Sequence, residues 1–275
     1  MKVGYTEFSF GYAFTENLIR SSSAAPIGAP VFPNLLQEGQ SGFDVRINFP
    51  AVPLFFQYKL PEIMRRATAF EIAKWECPGL TVPFFRIAMM RRDVSRQHEL
   101  LMELEARYPL CVYYAAPCLR NVSEFDRAYN AAAVSQRSSF FSPTEIGALP
   151  DNKAHTIAYR RGLEYAYFCS QPKQIKAKTY EELAGQLHLQ FEQHRFHQVE
   201  ESARQIREIV LEFSSPAMRE MQGAIDERIT TSRLRIREAI GRSPEEGRVV
   251  TDILVAREIA RVDLGVDVMV AQPRG

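Results

Sequence analysis

Asp44, Gln57 and Lys59 stand in the stretch GFDVRINFPAVPLFFQYK, residues 42–59, as polar teeth in an apolar comb. A carboxylate, an amide oxygen and an ammonium held together are the groups of a metal-dependent active site. The same residues also suit the wet face of an ordinary β-hairpin. Strand alternation sends successive side chains to opposite faces. In the first strand Phe43, Val45, Ile47 and Phe49 form the apolar face, with Asp44, Arg46 and Asn48 opposite. In the second, Leu54, Phe56, Tyr58 and Leu60 form it, with Phe55, Gln57 and Lys59 opposite. Pro50 and Pro53 cannot donate ladder hydrogen bonds and bound the connection PAVP. Symmetric pairing about that loop sets Asp44 opposite Lys59 and Arg46 opposite Gln57, with facing Cβ atoms about 4.5–5.5 Å apart. As a plain surface pair, Asp44 and Lys59 would contribute about 0.2–1 kcal/mol.

Several elements must position these residues. The spacing of Phe10, Phe14 and Leu18 predicts an amphipathic helix over 6–20, with Glu7 on the same stripe. A loop rich in small residues and proline follows, and VFPNLLQE reads as a strand turned by GQSG into FDVRINF. EIMRRATAFEIAKWE is expected to be helical, PFFRIAMM extended, RQHELLMELEARY an amphipathic helix and CVYYAAP a buried strand. SEFDRAYNAAAVSQRSSFF is expected to be one helix opened by Ser123, and AHTIAYRR with LEYAYFCS a hairpin around Gly162. After about residue 172 long helical patterns take over, and Ser243-Pro244-Glu245-Glu246 is a capping box opening one of them. The expected fold is α/β, a mixed sheet flanked by helices, over residues 1–172. A helical region over 173–275 follows, suited to packing, a protein partner or a homo-oligomer.

Helix, strand, strand with Asp44, strand with Gln57-Tyr58-Lys59, then helix and strand resembles the core of the PD-(D/E)XK nuclease superfamily. The Gln-x-Lys form is similar to that of the Mrr-like restriction endonucleases. The likeness covers roughly residues 5 to 118 and implies a restriction-endonuclease-like core that hydrolyses phosphodiester bonds with Mg²⁺ or Mn²⁺. It implies Asp44, Gln57 and Lys59 as the catalytic set, with Asp44 and Gln57 as metal ligands. Glu38 or Glu7 would complete the ligand set, with Glu16 a weaker choice. Lys59 would position or help deprotonate water and offset developing charge. Restriction or phage defence would be the setting, with nucleic acid, DNA first, as the partner. Replacing an acid by Gln57 lowers the ligand charge, so a non-catalytic nucleic-acid- or protein-binding subunit on a degenerate nuclease fold is the alternative. A scaffold whose helical region carries the function is a third reading.

Net charge is +1, so any basic surface must be local. Arg86, Arg91, Arg92 and Arg96 stand against a single acid, Asp93, across 85–98, which suits either the solvated start of the next helix or a basic lip for phosphates. Arg65-Arg66 and Arg160-Arg161 are weaker versions. His194, His197 and Glu201 share a helical face but have no companion ligands elsewhere, so they read as a polar face. The four cysteines show no metal spacing and suit buried reduced thiols in a cytoplasmic protein. No run is long and apolar enough to predict a membrane span. GxSxG, P-loop and Rossmann fingerprints are absent from the sequence.

Overall fold

The computed structural model describes residues 1–21, 55–94, 97–107, 109–169, 172–193, 204, 207–208, 210–212, 214–240 and 244–259. Contacts gather Met1–Ser23 and Phe56–His188 into one compact unit, and Ala24–Phe55 with Leu189–Gly275 into a second. The strands are β1 (Phe55–Tyr58), β2 (Glu62–Met64), β3 (Phe84–Met89), β4 (Val112–Pro117), β5 (Ser138–Phe141), β6 (His155–Tyr159), β7 (Tyr165–Phe168) and β8 (Lys173–Lys176). The helices are α1 (Glu7–Ser21), α2 (Phe70–Ala73), α3 (Gln97–Arg107), α4 (Val122–Asn130), α5 (Pro143–Ile146), α6 (Tyr180–Gln193), α7 (Pro216–Ile240) and α8 (Pro244–Ile259). The fold is α/β, with a three-stranded mixed sheet ordered β1-β4-β5 and a five-stranded antiparallel sheet ordered β2-β3-β6-β7-β8.

The mixed sheet is built from runs buried on both faces, FFQY in β1 and VYYAAP in β4. Such strands lack the polar alternation of a half-wet sheet. β5 pairs with β4 antiparallel, Tyr114 opposite Phe141 and Pro117 opposite Ser138. The larger sheet sets Ile63 against Phe85 and Ile87 against Ile157, while Ile157 also faces Phe168. Tyr159 joins the two sheets within the first unit. Its ring meets Phe141 at 5.1 Å and its hydroxyl donates to the Pro117 carbonyl at 2.8 Å.

Three sequence expectations change. Residues 62–76 do not form one helix, because Glu62–Met64 pairs with β3 and buries Ile63; only Phe70–Ala73 is helical. Pairing to a neighbour outweighs helix propensity here. The helix expected over 123–141 starts after an N-cap at Asn121, not at Ser123, and ends at Asn130. Ala132 then takes φ +50°, a left-handed value that breaks the helix, and Ser138–Phe141 goes to the sheet. The first unit also runs past residue 172, because β8 completes the large sheet and Tyr180–His188 belongs with it. The hairpin of β6 and β7 forms as expected, with Gly162 at φ +86° in its connection.

Apart from Phe55 of β1, the described part of the second unit is helical. α7 and α8 lie against each other, and Val210, Met218, Ile225, Val255, Ala256 and Ile259 are buried. Arg207 bridges Asp226 and Asp252, at 2.6 Å to each. Among the described residues no helix is long and apolar enough to cross a membrane.

Candidate functional site

β1 turns Phe56 and Tyr58 to one face and Phe55 and Gln57 to the other. On the first face the α1 stripe closes over Phe56 and Tyr58. Phe14 meets Phe56 at 5.2 Å and Tyr58 at 5.4 Å, and Phe10 meets Tyr58 edge-on at 5.4 Å. Phe140 of β5 and Tyr113 of β4 extend this layer. Aromatic pairs in such tilted geometries add about 0.5–1.5 kcal/mol each beyond their buried area. Asn17 ties the helix down, its buried Oδ1 accepting from the Val134 amide at 2.9 Å.

Alternation turns Gln57 and Lys59 to the other face. Gln57 is 1% exposed and its Nε2 donates to the Tyr58 carbonyl at 3.1 Å. The Lys59 amide donates to Ala115 at 3.0 Å, so β1 holds to β4 up to this residue. Its side chain emerges half-buried where the strand ends, and Nζ donates to Gln97 Oε1 at 3.2 Å. Gln97 opens α3, the helix that leads into β4. Gln57 therefore lies inside β1 and Lys59 one residue past its end, at the rim of the sheet.

The next turns of α3 hold buried polar residues that periodicity did not single out. His98 stacks on Tyr114 with ring centroids 5.8 Å apart. Its Nε2 lies 2.8 Å from the Gly147 carbonyl and its Nδ1 2.9 Å from the Tyr114 hydroxyl. Burial pushes its pKa below the usual histidine value, with the Gly147 contact opposing. A neutral ring facing a carbonyl must carry its proton on Nε2, so Tyr114 donates to Nδ1. Glu105 accepts from the Ser142 hydroxyl at 2.6 Å and from the Thr144 amide at 2.7 Å. His98, Leu101 and Glu105 follow i, i+3, i+7, the signal that would have placed them on the sheet-facing side. Both polar residues brace α3 and α5 rather than open to solvent.

The remaining candidates separate. Asp44, Glu38 and Arg96 lie outside the described residues, as do His194, His197 and Glu201. Glu7 is half-buried at the start of α1, in the layer covering the face of β1 opposite Gln57 and Lys59. Glu16 faces Arg20 in an ion pair and accepts from Asn17.

The basic lip does not assemble as a set. Arg86 belongs to β3 and is held by Glu62 at 2.9 Å and by the buried Glu71 at 3.2 Å. The Arg86 hydrogen bond in turn lowers the Glu62 carboxyl below its ordinary value. Two carboxylates match this cation, so it is not presented to phosphate. Arg91 forms an exposed fork with Asp93, at 3.0 and 2.5 Å. Arg92 reaches Asn152 and the Leu149 carbonyl, leaving an exposed guanidinium with neutral partners only.

Mg²⁺ prefers hard oxygen ligands with carboxylate among them. The side-chain oxygen that the described residues set against the Lys59 ammonium is the neutral Oε1 of Gln97, and no group of three His, Cys, Asp or Glu suited to a metal occurs among them. No family model matches the chain, and neither the curated proteins nor the solved structures contain a significant match.

Proposed function

We propose that the chain is a Mg²⁺-dependent nuclease of PD-(D/E)XK type, with β1 as its catalytic edge. One observation carries the reading. Lys59 is the half-buried cation one residue past a strand whose side chains are buried, oriented by Gln97 and two residues from a buried amide. This supports a Gln-x-Lys reading of β1, although β2, α2 and β3 intervene before helix α3 and strand β4. In this reading Asp44 supplies the carboxylate, Glu38 completes the oxygen ligands and Gln57 adds a neutral one. A bound Mg²⁺ would lower the pKa of a water and offset phosphate charge. Lys59 would orient the attacking water and stabilise charge developing on the phosphate oxygens, and Gln97 would hold the ammonium in place. The buried aromatic layer beneath β1 keeps this edge rigid.

The test is cleavage of labelled DNA in Mg²⁺ by the parent, Lys59→Ala and Asp44→Ala. Loss of cleavage in both variants, with unchanged thermal unfolding, supports the reading. Undiminished cleavage in both overturns it. A second reading, a non-catalytic nucleic-acid- or protein-binding subunit, is favoured by the neutral Gln57 and by the neutral amide, Gln97, that meets Lys59. It expects no thermal shift with Mg²⁺ and binding that survives Asp44→Ala.

A further inference from the structure

We propose that the turn carrying Arg65 and Arg66 is a binding site for the phosphate backbone of a nucleic-acid strand, an assignment that rests on reading β1 as a nuclease edge. The turn leaves β2 and is closed by the Ala69 amide donating to the Arg66 carbonyl at 3.0 Å. Both arginines are exposed, and among the described residues neither guanidinium has an ion pair or hydrogen bond. Their neighbours differ. Arg86 is matched by Glu62 and Glu71, and Arg120 by Glu124.

Two cavities flank Arg65. One, of about 520 Å³, is walled by Glu62, Arg65, Arg66, Thr68 and Arg86 among others. The other, of about 450 Å³, is walled by Arg65, Val82, Pro83, Arg120, Asn121 and Glu124. Since Arg86 and Arg120 are matched by acids, the unmatched arginine of the second cavity is Arg65, and those of the first are Arg65 and Arg66, beside the Met1 ammonium that donates to the Ile63 carbonyl at 3.1 Å. Arg65 lines both openings, so a strand reaching from one to the other would keep this cation along its backbone, which a lone anion would not need. Bidentate guanidinium donors and a nearby threonine hydroxyl are the groups that grip phosphate oxygens.

The adjoining surface adds a base platform. Phe70, four residues past Arg66, is 54% exposed, with Trp75 edge-on at 5.4 Å and the Lys74 ammonium 4.8 Å from its ring centroid. An exposed ring among cations is the pairing that stacks unpaired bases while the backbone is held by charge. The chain also limits the distance to the proposed edge. Arg65 is six residues beyond Lys59, so the two backbones lie within about 20 Å. A strand gripped at the turn is delivered to β1 within a few nucleotides.

The experiment is fluorescence anisotropy of a labelled oligodeoxythymidylate with the full chain in EDTA, over a salt series. EDTA removes cleavage, so the readout is independent of the catalytic assignment. The double variant Arg65→Ala/Arg66→Ala should raise Kd about tenfold at low salt and reduce the slope of log K against log salt by about 1–2. Phe70→Ala should raise Kd about tenfold with the slope kept. Arg160→Ala/Arg161→Ala, an exposed pair elsewhere, should bind as the parent does, and circular dichroism should show all variants folded. A parent that does not bind overturns the proposal. So does a double variant with unchanged Kd and slope, an equal loss in the Arg160/Arg161 variant, or displacement by inorganic phosphate as tight as the strand itself. Binding through the turn without Mg²⁺-dependent cleavage would overturn only the nuclease reading.

Discussion

The β1 edge and the β2–β3 ribbon each carry a basic residue that the sequence marks as a candidate, and they treat it oppositely. Lys59 follows a fully buried strand, is half-buried and donates to the neutral amide of Gln97, which leaves its charge uncancelled by that partner. Arg86 lies mid-strand in β3 and is locked between Glu62 and a Glu71 that is 1% exposed. Its charge is cancelled where it stands, and its work is to make burial of Glu71 tolerable. A cation marks a site only when its own fold has not neutralised it. By that criterion Lys59, Arg65, Arg66 and Arg92 remain candidates among the described residues, and Arg86 leaves the set.

The comparison is most sharply tested at Arg86. Arg86→Ala should destabilise the fold by about 3 kcal/mol, because it leaves Glu71 buried without its counter-ion. Urea denaturation measures this, and cleavage per folded molecule should stay at the parent level. Lys59→Ala should do the reverse, lowering Mg²⁺-dependent cleavage about 10²-fold while the urea midpoint hardly moves. If Lys59→Ala instead unfolds the protein, the two cations are both structural and the distinction fails. Gln97→Leu should cost about tenfold in cleavage by freeing the ammonium, equivalent to about 1.4 kcal/mol. Gln97→Glu, which keeps an acceptor in place, should recover most of it.

The smallest effect separates the rim from the interior beneath it. Burial lowers the His98 pKa from its ordinary value of 6.5, with the Gly147 carbonyl acting the other way. The unfolded chain therefore binds the proton more readily than the folded one, and stability rises with pH through this group. Its contribution is complete above about pH 6.5 and is lost as pH falls from there toward the lower folded value. The melting temperature of the parent should drop across that window, and His98→Gln should flatten the drop. An unchanged slope in the variant would mean that other groups carry the acid sensitivity.

Much of the β1 face was legible beforehand because strand alternation is a local rule. FFQYK could be divided into two faces without knowing any neighbour, and α1 does cover Phe56 and Tyr58. The helix of α3 and the buried run of β4 were equally readable from their apolar periods. The interior polar residues were not. His98 looks like any polar residue of an amphipathic helix until Tyr114 and Gly147, far along the chain, come to meet it. Glu62–Met64 has a helical composition, yet β3 recruits it as a strand, since a pairing partner adds more than local propensity withholds.

By itself, then, the sequence determined which residues share a face over short distances: Gln57 with Lys59 on β1, Phe10 with Phe14 on α1. Those relations follow from backbone geometry of 2 or 3.6 residues per repeat. Only the tertiary structure decided which charges remain available. That depends on acids brought from other strands and helices, Glu62 and Glu71 to Arg86, Glu124 to Arg120, while Arg65 and Arg66 receive none among the described residues. Coulomb attraction acts across space, and no local repeat in the chain records where the opposite charge will be placed.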